Sequence, residues 1–285
     1  MSFVSNQNVL LANRPVRRMG FGAMQLPGPG VFGPPKDRDL VLAILRRAVD
    51  AGVNHIDTAQ FYGPDVANEL VHAALHPYPE DLVLVSKVGA ARNDQGNWLE
   101  AQRPEELRAG VEANLASLAL DQIPVVNLRR HPESTVPFEE QLAAMIALRE
   151  EGLIGAIGLS NVSHAQYGLA RQMTEVACVQ NAYNLADRSD QEVFDACARD
   201  AVPYVPFFPL GSAFHSENPV LGAPAVKETA RRLEVTPAQV ALAWLLTLAP
   251  TILLIPGTSS REHLDQNLAA ADLVLDPAAI EALTA

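Results

Sequence analysis

Three residues in the first third of the chain, Asp57, Tyr62 and Lys87, could together move a proton. A tyrosine ordinarily titrates near ~10 and is a reluctant acid at neutral pH. A neighbouring ammonium favours the phenolate and is expected to lower that pKa, while a carboxylate keeps the ammonium charged and in place. Held together, the three would deliver a proton to an oxygen that gains negative charge, as a carbonyl oxygen does when hydride reaches its carbon. Taken singly, each has a bland role: Asp57 as a turn cap, Tyr62 as loop packing, Lys87 as a solvated strand end. Their placement decides.

That placement follows from the elements that carry them. Asp57 and Lys87 each end an apolar run, and Tyr62 lies five residues beyond Asp57, in the loop leaving the same run. From about residue 17 onward, aliphatic runs alternate with stretches of helical period, which predicts repeated βα units and a parallel sheet. Strands are expected at 18–23, 53–58, 82–87, 123–129, 153–159, 176–181, 204–208 and 252–255. Helices are expected at 37–51, 64–75, 104–118, 137–151, 163–172, 190–200, 237–248 and 260–270, several with Pro in the first turn, where its missing N–H costs nothing. Eight such units without a linker predict an α/β fold of one domain, a closed (β/α)8 TIM barrel, with residues 1–16 forming a β-hairpin cap at its bottom. An open dinucleotide-binding sheet is disfavoured. Gly20-Phe21-Gly22 begins its glycine fingerprint, but Gln25 stands where the third glycine belongs. In a barrel the active site lies at the C-terminal strand ends, so Asp57, Tyr62 and Lys87 would meet at one mouth.

The bulk properties narrow the partners. A net charge of −12 is unsuited to tracking phosphates, so nucleic acid is not expected as a partner. Cys178 and Cys197 have neither metal-ligand spacing nor the number of a disulfide framework, which suggests a cytoplasmic setting and no metal. No secretory leader is evident near Met1. The apolar stretch 240–256 is broken by Thr247, Pro250 and Thr251, so a buried helix followed by a strand is expected there and no membrane span.

Four motifs in order carry a resemblance: Gly20-Phe21-Gly22-Ala23-Met24, the run from Asn54 to Gly63 (NHIDTAQFYG), Gly158-Leu159-Ser160-Asn161, and Ile255-Pro256-Gly257-Thr258-Ser259-Ser260. Through them the chain resembles the aldo-keto reductases. The segments 22–39, Val125 to Arg129 and Val205 to Gly211 are similar to the bacterial pyridoxal reductase branch of that family. The resemblance implies a barrel that binds NADPH in extended form and reduces an aldehyde, pyridoxal to pyridoxine in that branch. It places Asp57, Tyr62 and Lys87 on three members of the family's catalytic tetrad. The fourth, usually a histidine, falls on Arg129, with His131 two residues beyond. Arg129 is expected to orient the substrate oxygen.

The resemblance also implies a cofactor set. Ser160, Asn161 and Gln180 would meet the nicotinamide amide, and Phe207 would stack on its ring. Gly22, Ala23, Met24, Asp57, Phe208, Leu210 and Gly211 would line the same groove. After strand eight, Gly257, Thr258 and Ser259 would lead into a helix whose N-terminus suits phosphate, with Ser259 and Glu262 spaced as a capping box. Gly257 and His263 replace the family's usual lysine and arginine, so Arg261 is expected to supply the missing charge, with His263, Gln266 and Asn267 beside the adenine. Phe61, Trp98, Phe214 and His215 would shape the substrate pocket. Two alternatives stay open: a general aldehyde or ketone reductase with other substrates, and a nucleotide-sensing subunit with little turnover, like aldo-keto-type β subunits of potassium channels.

Overall fold

The computed structural model describes residues 8–211 and 218–284. The chain opens with a hairpin, β1 (Asn8–Leu11) and β2 (Arg14–Arg17), whose two-residue loop, Ala12 and Asn13, has positive φ at both positions, the geometry that matches strand twist. Then come β3 (Phe21–Gly22), α1 (Arg38–Asp50), β4 (His55–Asp57), α2 (Val66–Leu75) and β5 (Val83–Val88). A second hairpin follows, β6 (Ala90–Arg92) and β7 (Trp98–Glu100), before α3 (Pro104–Leu118), β8 (Ile123–Arg129), α4 (Phe138–Glu150), β9 (Ile154–Ser160), α5 (His164–Met173) and β10 (Val179–Gln180). The rest is helical between short bridges: α6 (Gln191–Arg199), α7 (Pro219–Gly222), α8 (Pro224–Leu233), α9 (Pro237–Leu248), α10 (Arg261–Ala269) and α11 (Pro277–Thr284).

Six strands form one parallel sheet in the order β10-β9-β8-β5-β4-β3. Single parallel bridges close it into the expected barrel: Val179 to Tyr204, Tyr204 to Ile252, and Leu254 to Met19 beside β3. The seventh and eighth strands are thus shorter than the expected 204–208 and 252–255. Prolines explain this, since Pro203, Pro206, Pro250 and Pro256 flank the two segments and cannot donate to a ladder.

Alternation along each strand separates two cores. Leu84, Val126 and Ile157 face outward and pack under the helices with Leu45, Val111 and Trp244. Val83, Val85, Val125, Val205 and Leu253 fill the barrel interior, and Val9, Leu11 and Val16 of the first hairpin join them, so the hairpin plugs the bottom as expected. Burial on both faces is why these strands read as continuous aliphatic runs. A plugged floor leaves the C-terminal rim as the open end.

Candidate active site

The rim holds a cavity of about 610 Å³ whose floor is Asp57, Tyr62 and Lys87. All three are buried. Register puts Asp57 opposite Val85, one inward layer below Lys87, and the Lys87 ammonium pairs with Asp57 Oδ1. It also donates to the Thr58 carbonyl (3.0 Å), and its Nζ lies 5.0 Å from the centroid of the Tyr62 ring. The second Asp57 oxygen accepts from Gln180 Nε2 (2.9 Å), so the carboxylate bridges the third and sixth strands. One physical expectation is corrected here: the Tyr62 pKa lies above its ordinary value, because burial outweighs the lowering by Lys87 and Arg129. Burial opposes the Lys87 charge too, yet Asp57 and Tyr62 together raise its pKa, so it stays an ammonium. The relay rests as neutral phenol, ammonium and carboxylate.

Arg129 ends β8 two residues past Asn127, which lies opposite Lys87, and it lines the cavity level with Ser160. Its backbone is pinned by Gln102, a buried amide that sequence reasoning missed. Gln102 Nε2 donates to the carbonyls of Gly89 and Arg129 (2.8 Å for the latter), and its Oε1 accepts from the His131 amide (3.2 Å). No local pattern singles out Gln102, since its partners are 13 to 29 residues away in sequence. His131 falls beyond the strand end and does not line the cavity, whereas Arg129 does.

Gly22, Met24, Ser160, Gln180, Phe207, Phe208, Leu210, Gly211, Gly257, Thr258, Ser259 and His263 also line the cavity, as do Phe61 and Trp98. Phe61 packs edge-on between Tyr62 and Trp98, with centroids 5.3 and 5.7 Å away. Arg92 lies 4.2 Å over the Trp98 ring and donates to the carbonyls of Gly30, Val31 and Gly96, tying the second hairpin to the loop after β3. Sequence reasoning missed Gln25, Asn218 and Leu221, which complete the walls.

Other expected residues fall elsewhere. Asn161 turns away and donates to the Arg130 carbonyl (2.9 Å), in a neighbouring hollow. Ala23 and Asn267 are buried without lining the cavity, and Arg261 and Gln266 line a separate surface hollow with Asp265. Phe214 and His215 lie outside the described residues. The expected Ser259 cap is also corrected. Thr258 Oγ1 accepts from the Ser260 amide (3.0 Å), and it is Ser260 whose hydroxyl accepts from the His263 amide to cap α10. The cap therefore sits one residue later than the spacing suggested.

The aldo/keto reductase family profile matches residues 18–285. The chain belongs to that family. It is 46% identical over 285 residues to pyridoxine 4-dehydrogenase of Escherichia coli strain K12, covering 98% of both chains. An uncharacterized oxidoreductase of Schizosaccharomyces pombe is 36% identical over 91% of this chain and 83% of its own. Among solved structures, an aldo-keto reductase from Klebsiella pneumoniae in complex with NADPH superposes with a TM-score of 0.82 at 27% identity, covering 98% of this chain and 94% of that one. As an aldo-keto reductase, the chain is an oxidoreductase on a TIM barrel. Among the described residues, no helix is long and apolar enough to cross a membrane, and no cluster of three or more His, Cys, Asp or Glu could hold a metal ion.

Proposed function

We propose that this aldo-keto reductase uses NADPH to reduce an aldehyde to a primary alcohol, and that pyridoxal, giving pyridoxine, is its substrate. The observation that carries the reading is the buried Asp57–Lys87–Tyr62 relay on the floor of a cavity that runs on to the first turn of α10. The residues suit such a cofactor. Ser160 and Gln180 present polar groups beside the relay, and Phe207 offers a flat wall. At the far end the Arg261 and Glu262 amides, in the first turn of α10, precede its internal ladder and can meet phosphate. The NADPH in the Klebsiella relative and the name of the Escherichia coli relative support the cofactor and the substrate, respectively.

Bound NADPH supplies hydride to the carbonyl carbon. Tyr62 gives its hydroxyl proton to the carbonyl oxygen, and its raised pKa keeps that proton in place at neutral pH. Lys87 and Arg129 then stabilise the phenolate left behind, and Asp57 fixes the ammonium that does so. Arg129 orients the substrate oxygen.

Following NADPH absorbance with purified protein tests this, using pyridoxal beside methylglyoxal and a nitrobenzaldehyde. Saturable pyridoxal turnover is expected in the wild type, with a loss of about 10²- to 10⁴-fold in kcat for Tyr62→Phe. Tight NADPH binding without turnover on any aldehyde would return the chain to the nucleotide-sensing class.

A further inference from the structure

The charges that face the catalytic cavity do not balance. Asp57 and Lys87 neutralise each other on the floor. Among the described lining residues that leaves Arg129 as the surplus fixed charge, in a chain whose overall charge is −12. Every other ion pair among the described residues lies elsewhere, and none includes Arg129. Its backbone is held by Gln102, so the residue starts from a defined height on the wall, one inward layer above Asn127 and Lys87. It is half-buried and acts electrostatically on Tyr62. A planar fork of N–H donors binds two adjacent oxygens better than one, and best when one is anionic.

Part of the same cavity is apolar. Phe61, Trp98 and Leu221 offer ring edges and aliphatic surface, with Arg92 holding Trp98 from behind. A ring resting there, with its aldehyde oxygen at the Tyr62 hydroxyl, would bring the adjacent ring position towards Arg129.

We infer that Arg129 selects aromatic aldehydes carrying an ionised oxygen on the ring carbon next to the aldehyde, its fork spanning carbonyl oxygen and neighbouring oxyanion together. This rests on the aldehyde-reductase reading and sharpens it, because pyridoxal has that pairing in its aldehyde and its adjacent phenolate. The same oxyanion would be rejected when moved across the ring, where the apolar wall gives it no partner and burial without one is costly. Selectivity then resides in the position of a charge, with ring shape secondary.

The test compares 2-hydroxy-5-nitrobenzaldehyde with 3-nitrobenzaldehyde, which lacks the hydroxyl, and with 4-hydroxy-3-nitrobenzaldehyde, which has it opposite the aldehyde. The nitro group keeps both phenols ionised near neutral pH, and phenolate donation makes those carbonyls intrinsically less reactive than the parent. The wild type should nevertheless favour the adjacent phenolate over both by about tenfold or more in kcat/KM, as a charge-assisted contact implies. In Arg129→Gln that ratio should collapse to one or below, whatever the absolute rate. Equal ratios in the two proteins, or a wild type indifferent to the adjacent oxyanion, would overturn the inference. A second measurement covers a silent variant: nitrophenolate absorbance reports the bound phenol's ionisation directly. With NADP⁺ present, Tyr62→Phe should lower that phenol's pKa relative to solution and the double variant with Arg129→Gln should not; an unchanged pKa in Tyr62→Phe would also overturn it. If no aldehyde turns over in the wild type, the reductase reading fails, and this titration alone decides the inference.

Discussion

The two ends of the cavity are built on opposite plans. At the relay end, two charges are taken fully out of water and both are answered: Lys87 by Asp57 and Thr58, Asp57 by Lys87 and Gln180. At the α10 end, Ser259, Arg261 and His263 are exposed, and order comes from backbone amides and one serine cap. Interior charges make a rigid apparatus in which a lost partner is expensive, whereas exposed amides and caps give a surface where each change costs little. Chemistry is proposed for the first and nucleotide recognition for the second.

Breaking the relay end should therefore be the costliest change. Asp57→Asn leaves the buried Lys87 cation without its counter-charge, and a loss of about 3–5 kcal/mol is expected by denaturant unfolding. A loss below about 1 kcal/mol would show that the pair is solvated in practice and erase the contrast.

His55 extends the buried end one layer down the same strand face. Burial depresses its pKa to about 4 against an ordinary 6.5, with the nearby Arg17 carbonyl, which favours the protonated ring, opposing. The folded protein excludes a proton that the unfolded chain accepts, so stability is full above about pH 6.5 and falls as pH drops towards about 4. The fall amounts to about 3 kcal/mol. Unfolding curves at several pH values check this, and His55→Leu should flatten the acid slope.

Changes at the α10 end should be smaller. If Arg261 contributes the charge for a 2′-phosphate, Arg261→Ala should raise KM for NADPH several-fold, about 1 kcal/mol, and spare NADH. Equal effects on the two cofactors would remove Arg261 from that role and leave it as a wall of its separate hollow. Smallest of all, Ser260→Ala should cost about 1 kcal/mol in stability, and Ser259→Ala next to nothing, which calorimetry can separate.

The same contrast governs how much was legible in the sequence. The strand ends that carry Asp57, Lys87 and Arg129 were readable because parallel strands buried on both faces leave a plain aliphatic signal, ending where polarity begins. Helices Pro104–Leu118 and Pro237–Leu248 were bounded by their N-terminal prolines. The hairpin of Ala90–Arg92 and Trp98–Glu100 went unseen, because its second strand is exposed throughout and it is held by the long-range bonds of Arg92. α8 and α11 were missed although Pro224 and Pro277 mark their starts, since eight repeats had already accounted for the barrel. Asn161 shows the limit of motif reading: its neighbour Ser160 faces the cavity, and a positive φ at 161 turns the next side chain to the Arg130 carbonyl. Gln102 had no signal at all, because what it does depends on three chain segments meeting.

Gly257 and Gly22 line the cavity where the first and last barrel segments meet. A Cβ on Gly257 would lie 2.4 Å from the Gly22 carbonyl oxygen, and one on Gly22 would lie 2.5 Å from that of Ile255. Restoring the lysine that the family usually carries at the first position would thus push on backbone at the seam, whatever its charge gained. Each glycine is held to its size by backbone that no side-chain change removes, and an engineer seeking a basic contact for the cofactor has to place it on the far side of Thr258, where the helix leaves the barrel.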